Sequence, residues 1–151
     1  MVTAAQVAIR LCEARDLDHF GAFGSDLHVQ YCRDEFAHAR EVLLVAVSGD
    51  DVPVGKIHVH LDHSPDAVWL EAAAVARPHQ SQGIGTSLVR AAEALAAERG
   101  YAIAELGVED SNPRARGLYE RLGYRSIARH DFRYTGAPVP NPGVVMRKEL
   151  A

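Results

Sequence analysis

Residues 77–100, RPHQSQGIGTSLVRAAEALAAERG, set Gly83 and Gly85 ahead of an amphipathic helix whose first turn holds no aspartate or glutamate. A helix start carries unpaired N–H groups and about half a positive charge, so it favours anions. Glycine there lets a ligand approach the backbone without side chains in the way. A P-loop would need a lysine between Gly85 and Thr86, and none is present. A dinucleotide fingerprint would need a third glycine where Leu88 stands. Glu105 does fall 20 residues beyond Gly85, where such folds keep a ribose-binding acid, but the preceding strand reads as part of antiparallel hairpins. The loop alone fits either an anion site or a plain turn.

Other residues could also do chemistry. Glu71 lies four residues before Val75 on the strand that leads into the loop, and alternation places Trp69, Glu71, Ala73 and Val75 on one face. Glu71 reads either as a base or as a solvated strand glutamate. Glu105 and Glu109 flank the end of a later strand. HVHLDH sets His58 and His60 on one strand face with His63 beyond. That face reads as solvated sheet, as the lining of a substrate groove, or as a partial metal site that only Asp62 could complete; no metal is expected. His79, in the loop, is expected to be exposed.

These groups need elements to position them. Alternation in residues 7–14 predicts a strand. Residues 16–40 read as one or two helices broken near Gly21 and Gly24. Residues 41–48 form a nearly continuous apolar run, the mark of a buried strand, with a hairpin partner at 52–62. A strand at 67–76 precedes the helix at 83–99, whose Ile84, Leu88, Ala91, Ala92 and Leu95 recur at helical spacing before the stop at Gly100. A strand at 102–109 leads to a short helix with legible ends: Asn112 suits the N-cap, Pro113 the first turn and Gly123 the residue past the end. Strands at 124–134 and 143–150 close a mixed α/β domain spanning residues 1–151.

VARPHQSQGIG resembles the acetyl-CoA-binding motif of the GNAT acetyltransferase superfamily, through Val75, Pro78, Gln80, Gly83 and Gly85. NPRARGLYERLGY resembles that family's second motif, through Asn112, Ala115, Leu118, Tyr119, Gly123 and Tyr124. The two occur in the expected order with one strand between them, and the resemblance runs over about residues 42–150. It implies a mostly antiparallel sheet of six to seven strands, about four flanking helices, and a splayed strand pair that holds the cofactor. It also implies an acetyl-CoA cosubstrate. The N–H groups of Gln82, Gly83, Ile84, Gly85 and Thr86 would cradle its pyrophosphate, and Thr86 could add a hydroxyl. Val75 and Arg77 would pair with the pantetheine arm, and the Val75 N–H would polarise the thioester.

Amine acetylation must deprotonate an ammonium of pKa about 10.4 and protonate a departing thiolate. Tyr119 occupies the family's proton-donor position, though a core tyrosine would look the same. Asn112 suits both a cap and a cofactor contact. Glu71 is the candidate base, with Glu105, Glu109 or a water chain as alternatives. Some ribosomal-protein acetyltransferases of the family keep a glutamate where this chain has Gly107, so that route does not carry over. The implied activity is direct transfer to a primary amine. The alternative is a non-catalytic acyl-CoA-binding module.

Composition sets the remaining bounds. The 151 residues are 48% hydrophobic and 24% charged, the mix of a soluble globular domain. A net charge of −4 argues against a nucleic-acid partner and mildly favours a cationic amine. No segment reaches the roughly 18 apolar residues of a membrane span, and no signal peptide is evident, so a cytoplasmic location is expected. Cys12 and Cys32 share no metal spacing and suit a reducing compartment. Both lie outside the two motifs, which argues against a cysteine-linked intermediate. The family's habit of pairing through C-terminal strands makes a homodimer an expectation.

Overall fold

The computed structural model describes residues 2–133 and 138–150. Its strands are β1 (Ala8–Leu11), β2 (Glu41–Val47), β3 (Pro53–His60), β4 (Ala67–Val75), β5 (Ile103–Glu109), β6 (Arg125–Phe132) and β7 (Asn141–Glu149). The α-helices are α1 (Asp26–Phe36), α2 (Ile84–Glu98) and α3 (Pro113–Arg121). A nine-residue 3-10 helix spans Ala14–Ala22, with shorter 3-10 turns at Ala4–Gln6 and Arg77–His79. Tyr134, the expected end of the sixth strand, lies outside the described residues.

The seven strands form one sheet in the order β1-β2-β3-β4-β5-β7-β6. All neighbours are antiparallel except β4 and β5. The apolar run of β2 is buried on both faces, as its continuity predicts. On one face α2 packs Leu88, Val89 and Ala92 onto Ile57, Val59 and Leu70. A Cβ added at Gly55 would stand 3.0 Å from Leu88 and 3.2 Å from Ile84, so the absence of a side chain lets α2 lie close to β3. On the other face, Leu17, Phe20 and Cys32 cover Leu43, Val45 and Val47. Each fully buried Leu, Ile or Phe in these layers contributes roughly 1.5–3 kcal/mol.

Asp16 explains why the first strand ends before Ala14. Its carboxylate accepts the Glu13 N–H at 2.7 Å and both terminal nitrogens of Arg10 at 2.7 and 2.9 Å. These bonds turn the chain out of the ladder and cap the nine-residue 3-10 helix. The expected helical region at 16–40 therefore divides into that helix and α1. Ser25 starts α1 by accepting the His28 N–H at 3.3 Å.

Asp16 is 1% exposed. Burial alone would raise its pKa, but the bonds from Arg10 and Glu13 outweigh it and hold the carboxyl below its ordinary value. A lowered carboxyl stabilises the fold above its unfolded-state pKa, and that contribution fades as pH falls through the folded value. Asp16→Asn is expected to cost about 2–3 kcal/mol at pH 7, as for a lost charge-assisted bond. Urea unfolding at pH 7 and near pH 3 should show the gap between variant and wild type narrowing on acidification.

Candidate active site

Strands β4 and β5 are paired only from Ala67↔Ile103 to Leu70↔Leu106. Beyond Leu70, β4 continues against β3 while β5 continues against β7. The expected splayed pair is thus present, and its opening passes through the sheet. The resulting cleft, of about 1050 Å3, is lined by Tyr31 on one face, Tyr119 and Ala115 on the other, and Glu71, Ala72 and Val108 along the parted strands.

A bulge fixes the direction of β4. The β3–β4 register runs Lys56↔Ala74 and His58↔Glu71, so β4 carries one extra residue, and Ala72 adopts φ 54°. The buried Lys56 ammonium donates to the Ala72 carbonyl at 2.7 Å and lies 3.0 Å from His58 Nε2. Burial lowers Lys56 to about 8 and keeps His58 neutral, so the lysine remains the donor at neutral pH.

The bulge also corrects one expectation. Strict alternation would put Glu71 and Val75 on one face, but the extra residue reverses the phase. Glu71 pairs with His58 on the α1 side, whereas Val75 pairs with Gly55 on the α2 side. Ala76 donates its N–H to Val54 at 2.8 Å, so by alternation the Val75 N–H points away from β3, into the opening.

On the α2 side, Gly83 is the N-cap in the left-handed region at φ 83° and provides no side-chain cap. The first helical bond is Ser87 N–H to Gly83 O at 3.1 Å, so the N–H groups of Ile84, Gly85 and Thr86 precede it. Ile84 buries its side chain and can offer only its backbone. A Cβ on Gly85 would meet nothing within 4 Å, so the helix start is open at that residue. The Gln80 side chain donates to the Val75 carbonyl at 2.9 Å, and the Gln82 carbonyl accepts the Ala4 N–H at 3.0 Å. Arg77 is exposed in the 3-10 turn after β4, while His79, expected to be exposed, is half-buried and accepts the Val2 N–H at 2.9 Å.

Asn112 caps α3 by accepting the Ala115 N–H at 3.1 Å, and it lines the cleft. Tyr119 also lines the cleft and packs edge-on against Tyr124 at 5.9 Å. Burial raises the Tyr119 hydroxyl above its ordinary value, so it stays protonated. Arg114, which drew no notice in the sequence, reaches Ser81 Oγ at 2.5 Å and adds a cation beside the glycine loop.

On the α1 side, Tyr31 OH donates to Glu71 Oε1, and His60 Nε2 lies 2.7 Å from that same oxygen. The other ring nitrogen of His60 abuts Glu41 Oε2 and is 3.7 Å from Glu35 Oε2. Burial raises Glu71 to about 7; burial and the neighbouring Glu35 raise Glu41 to about 8. His58 and His60 are therefore not on a solvated face, because α1 covers them. Sequence spacing could not disclose this cluster, whose members come from α1, β2, β3 and β4. Glu105 is committed elsewhere, to His63 at 2.8 Å and Arg147 at 2.6 Å. Although burial would raise Glu105, those partners hold it low, which leaves no base there. At Gly107 a Cβ would stand 2.4 Å from Phe132, whose ring occupies the place of the absent side chain. Burial also raises both cysteines, Cys12 to about 12, so neither is a ready thiolate.

The model of the acetyltransferase (GNAT) family matches residues 9–124, and the chain belongs to that family of N-acetyltransferases. Among solved structures, a spermidine/spermine N-acetyltransferase from Vibrio cholerae is similar at a TM-score of 0.79 and 15% identity, over 99% of this chain and 95% of that one. The ribosomal-protein-S18-alanine N-acetyltransferase from Escherichia coli gives 0.79 and 20%, over 96% and 94%. An aminoglycoside 6'-N-acetyltransferase complexed with coenzyme A gives 0.75 and 17%, over 95% and 97%. At these identities the likeness is one of fold. A search of curated proteins gives no match in sequence. Among the described residues no helix is long and apolar enough to cross a membrane.

The open space above Gly85 generates a direct check. Gly85→Val should leave the thermal midpoint nearly unchanged, because its Cβ meets no protein atom within 4 Å. It should weaken coenzyme A binding at least about tenfold, or 1.4 kcal/mol, by calorimetric titration.

Proposed function

We propose that this chain moves the acetyl group of acetyl-CoA directly to a primary amine of a cationic small molecule or peptide. The observation that carries this reading is the opening beyond Leu70. Its cleft runs from Asn112, Ala115 and Tyr119 on the α2 side of the sheet to Tyr31, Asp34 and Glu71 on the other, and the uncapped start of α2 follows β4, one of the two strands that part there. Donor and acceptor can then enter from opposite sides and meet between the strands.

The residues present fit coenzyme A at the helix start. The N–H groups of Ile84, Gly85 and Thr86 precede the first helical bond, a Cβ on Gly85 would meet nothing, no acidic side chain stands in the first turn, and Arg114 adds positive charge. Bound there, acetyl-CoA supplies the thioester carbon that the amine attacks. The Val75 N–H, turned into the opening, is placed to donate to the developing oxyanion. Glu71 draws the acceptor's ammonium and takes its proton on the α1 side. Tyr119, kept protonated by burial, donates to the leaving sulfur. Asn112 holds the α3 backbone at the cleft and borders the cofactor's path. The raised cysteines favour direct transfer over a cysteine-linked acyl group.

Tyr119→Phe should lower kcat by about 10²–10⁴, the usual span of one proton-transfer group, with coenzyme A affinity retained. Thiol release over an amine panel measures the first quantity and calorimetry the second. Unaltered turnover would remove Tyr119 from the chemistry. If wild-type protein binds acetyl-CoA yet acetylates no amine, the activity fails and an acyl-CoA sensor takes its place.

A further inference from the structure

The cluster on the α1 side has more ligating groups than proton transfer needs. Glu35, His60 and Glu71 each bring one donor atom within 4.8 Å of the others. Glu35 Oε2 and His60 Nε2 are buried without a hydrogen-bond partner among the described residues. His60 Nε2 also lies 2.7 Å from Glu71 Oε1, outside hydrogen-bonding geometry. No lysine or arginine among the described residues forms an ion pair with these carboxylates.

The surroundings are those of a prepared ligand set. Glu41, its side chain 6% exposed, sits against His60 Nδ1. Glu41 Oε2 is likewise buried without a hydrogen-bond partner among the described residues, and a ring proton on Nδ1 facing it would leave the Nε2 lone pair free, the arrangement found behind metal-bound histidines. Tyr31 in turn donates to the Glu71 carboxylate and fixes its orientation. From these contacts we propose that Glu35, His60 Nε2 and Glu71 bind one divalent first-row transition metal ion, with Glu41 and Tyr31 orienting the ligands. One imidazole and two carboxylates, with the cleft open beside Glu71, suit such an ion, with water completing the coordination. The metal and the acceptor's ammonium contend for the same carboxylate, so the ion is an inhibitor of acceptor binding. This last point rests on the transfer reading above; the binding site does not.

The test uses the full chain, stripped with a chelator and titrated calorimetrically with Zn2+, Mn2+ and Mg2+ in turn, with no acetyl-CoA present. One ion per chain is expected, with affinity in the order Zn2+ over Mn2+ over Mg2+, because imidazole ligation follows that series. His60→Gln and Glu35→Gln should each lose at least about tenfold in Zn2+ affinity, and Glu41→Gln about 10–100-fold. Glu105→Gln, at a carboxylate already paired, should bind as wild type does. Circular dichroism checks that each variant is folded. Absence of saturable binding by the stripped protein overturns the proposal. So does Zn2+ binding that survives in folded His60→Gln and Glu35→Gln. So does equal affinity for the three ions, which marks a diffuse acidic patch. Loss of transfer activity with ion binding intact would sink the function reading and leave the metal site standing.

Discussion

The hydrogen bond from Lys56 to the Ala72 carbonyl is the constraint on which the site depends. An ammonium with no exposed surface needs strong acceptors, since an unpaired buried charge costs several kcal/mol. The bulged carbonyl of β4 supplies one and His58 the other. In return the lysine holds β4 out of regular alternation at the point where it leaves β5. One residue on a neighbouring strand therefore sets the phase of the whole segment from Glu71 to Val75. It is the reason that Glu71 faces α1 while the Val75 side chain faces α2.

That phase change divides the cleft electrically. The α2 side presents the start of a helix and Arg114 and suits anions. The α1 side gathers Glu35, Glu41 and Glu71 around one imidazole and suits cations. The sheet stands between them and screens neither completely, because it is open only past Leu70. On the proposed reading, a negatively charged donor and a positively charged acceptor would each be drawn to its own face and meet at a single place.

Much of this was legible in the sequence wherever backbone geometry demands particular residues. Gly83 at φ 83°, Asn112 at the cap, Pro113 in the first turn and Gly123 at φ 101° each sit where local conformation requires them. The run in β2 announced burial because apolar residues on both faces need cover on both. The acidic cluster was hidden because its residues come from four separate elements. The burial of His58 and His60 depends on α1, whose docking leaves no period in β3. The bulge at Ala72 was also hidden, since alanine gives no sign of a positive φ. Alternation in the sequence therefore continues through Glu71–Val75, where the structure breaks it.

The parallel register of β4 and β5 is only four residues long, and it has a kinetic meaning. Strands β1 to β4 pair with their sequence neighbours, and β5, β6 and β7 form a second local group. The two groups meet only when residues 76–102 have crossed over the sheet, so their junction is the long-range closure that a folding chain reaches late. The cleft exists only at that junction. The first half can gather its acidic cluster on its own, but the opening between β4 and β5, with Tyr119 on one side and Glu71 on the other, is complete only when the sheet becomes one.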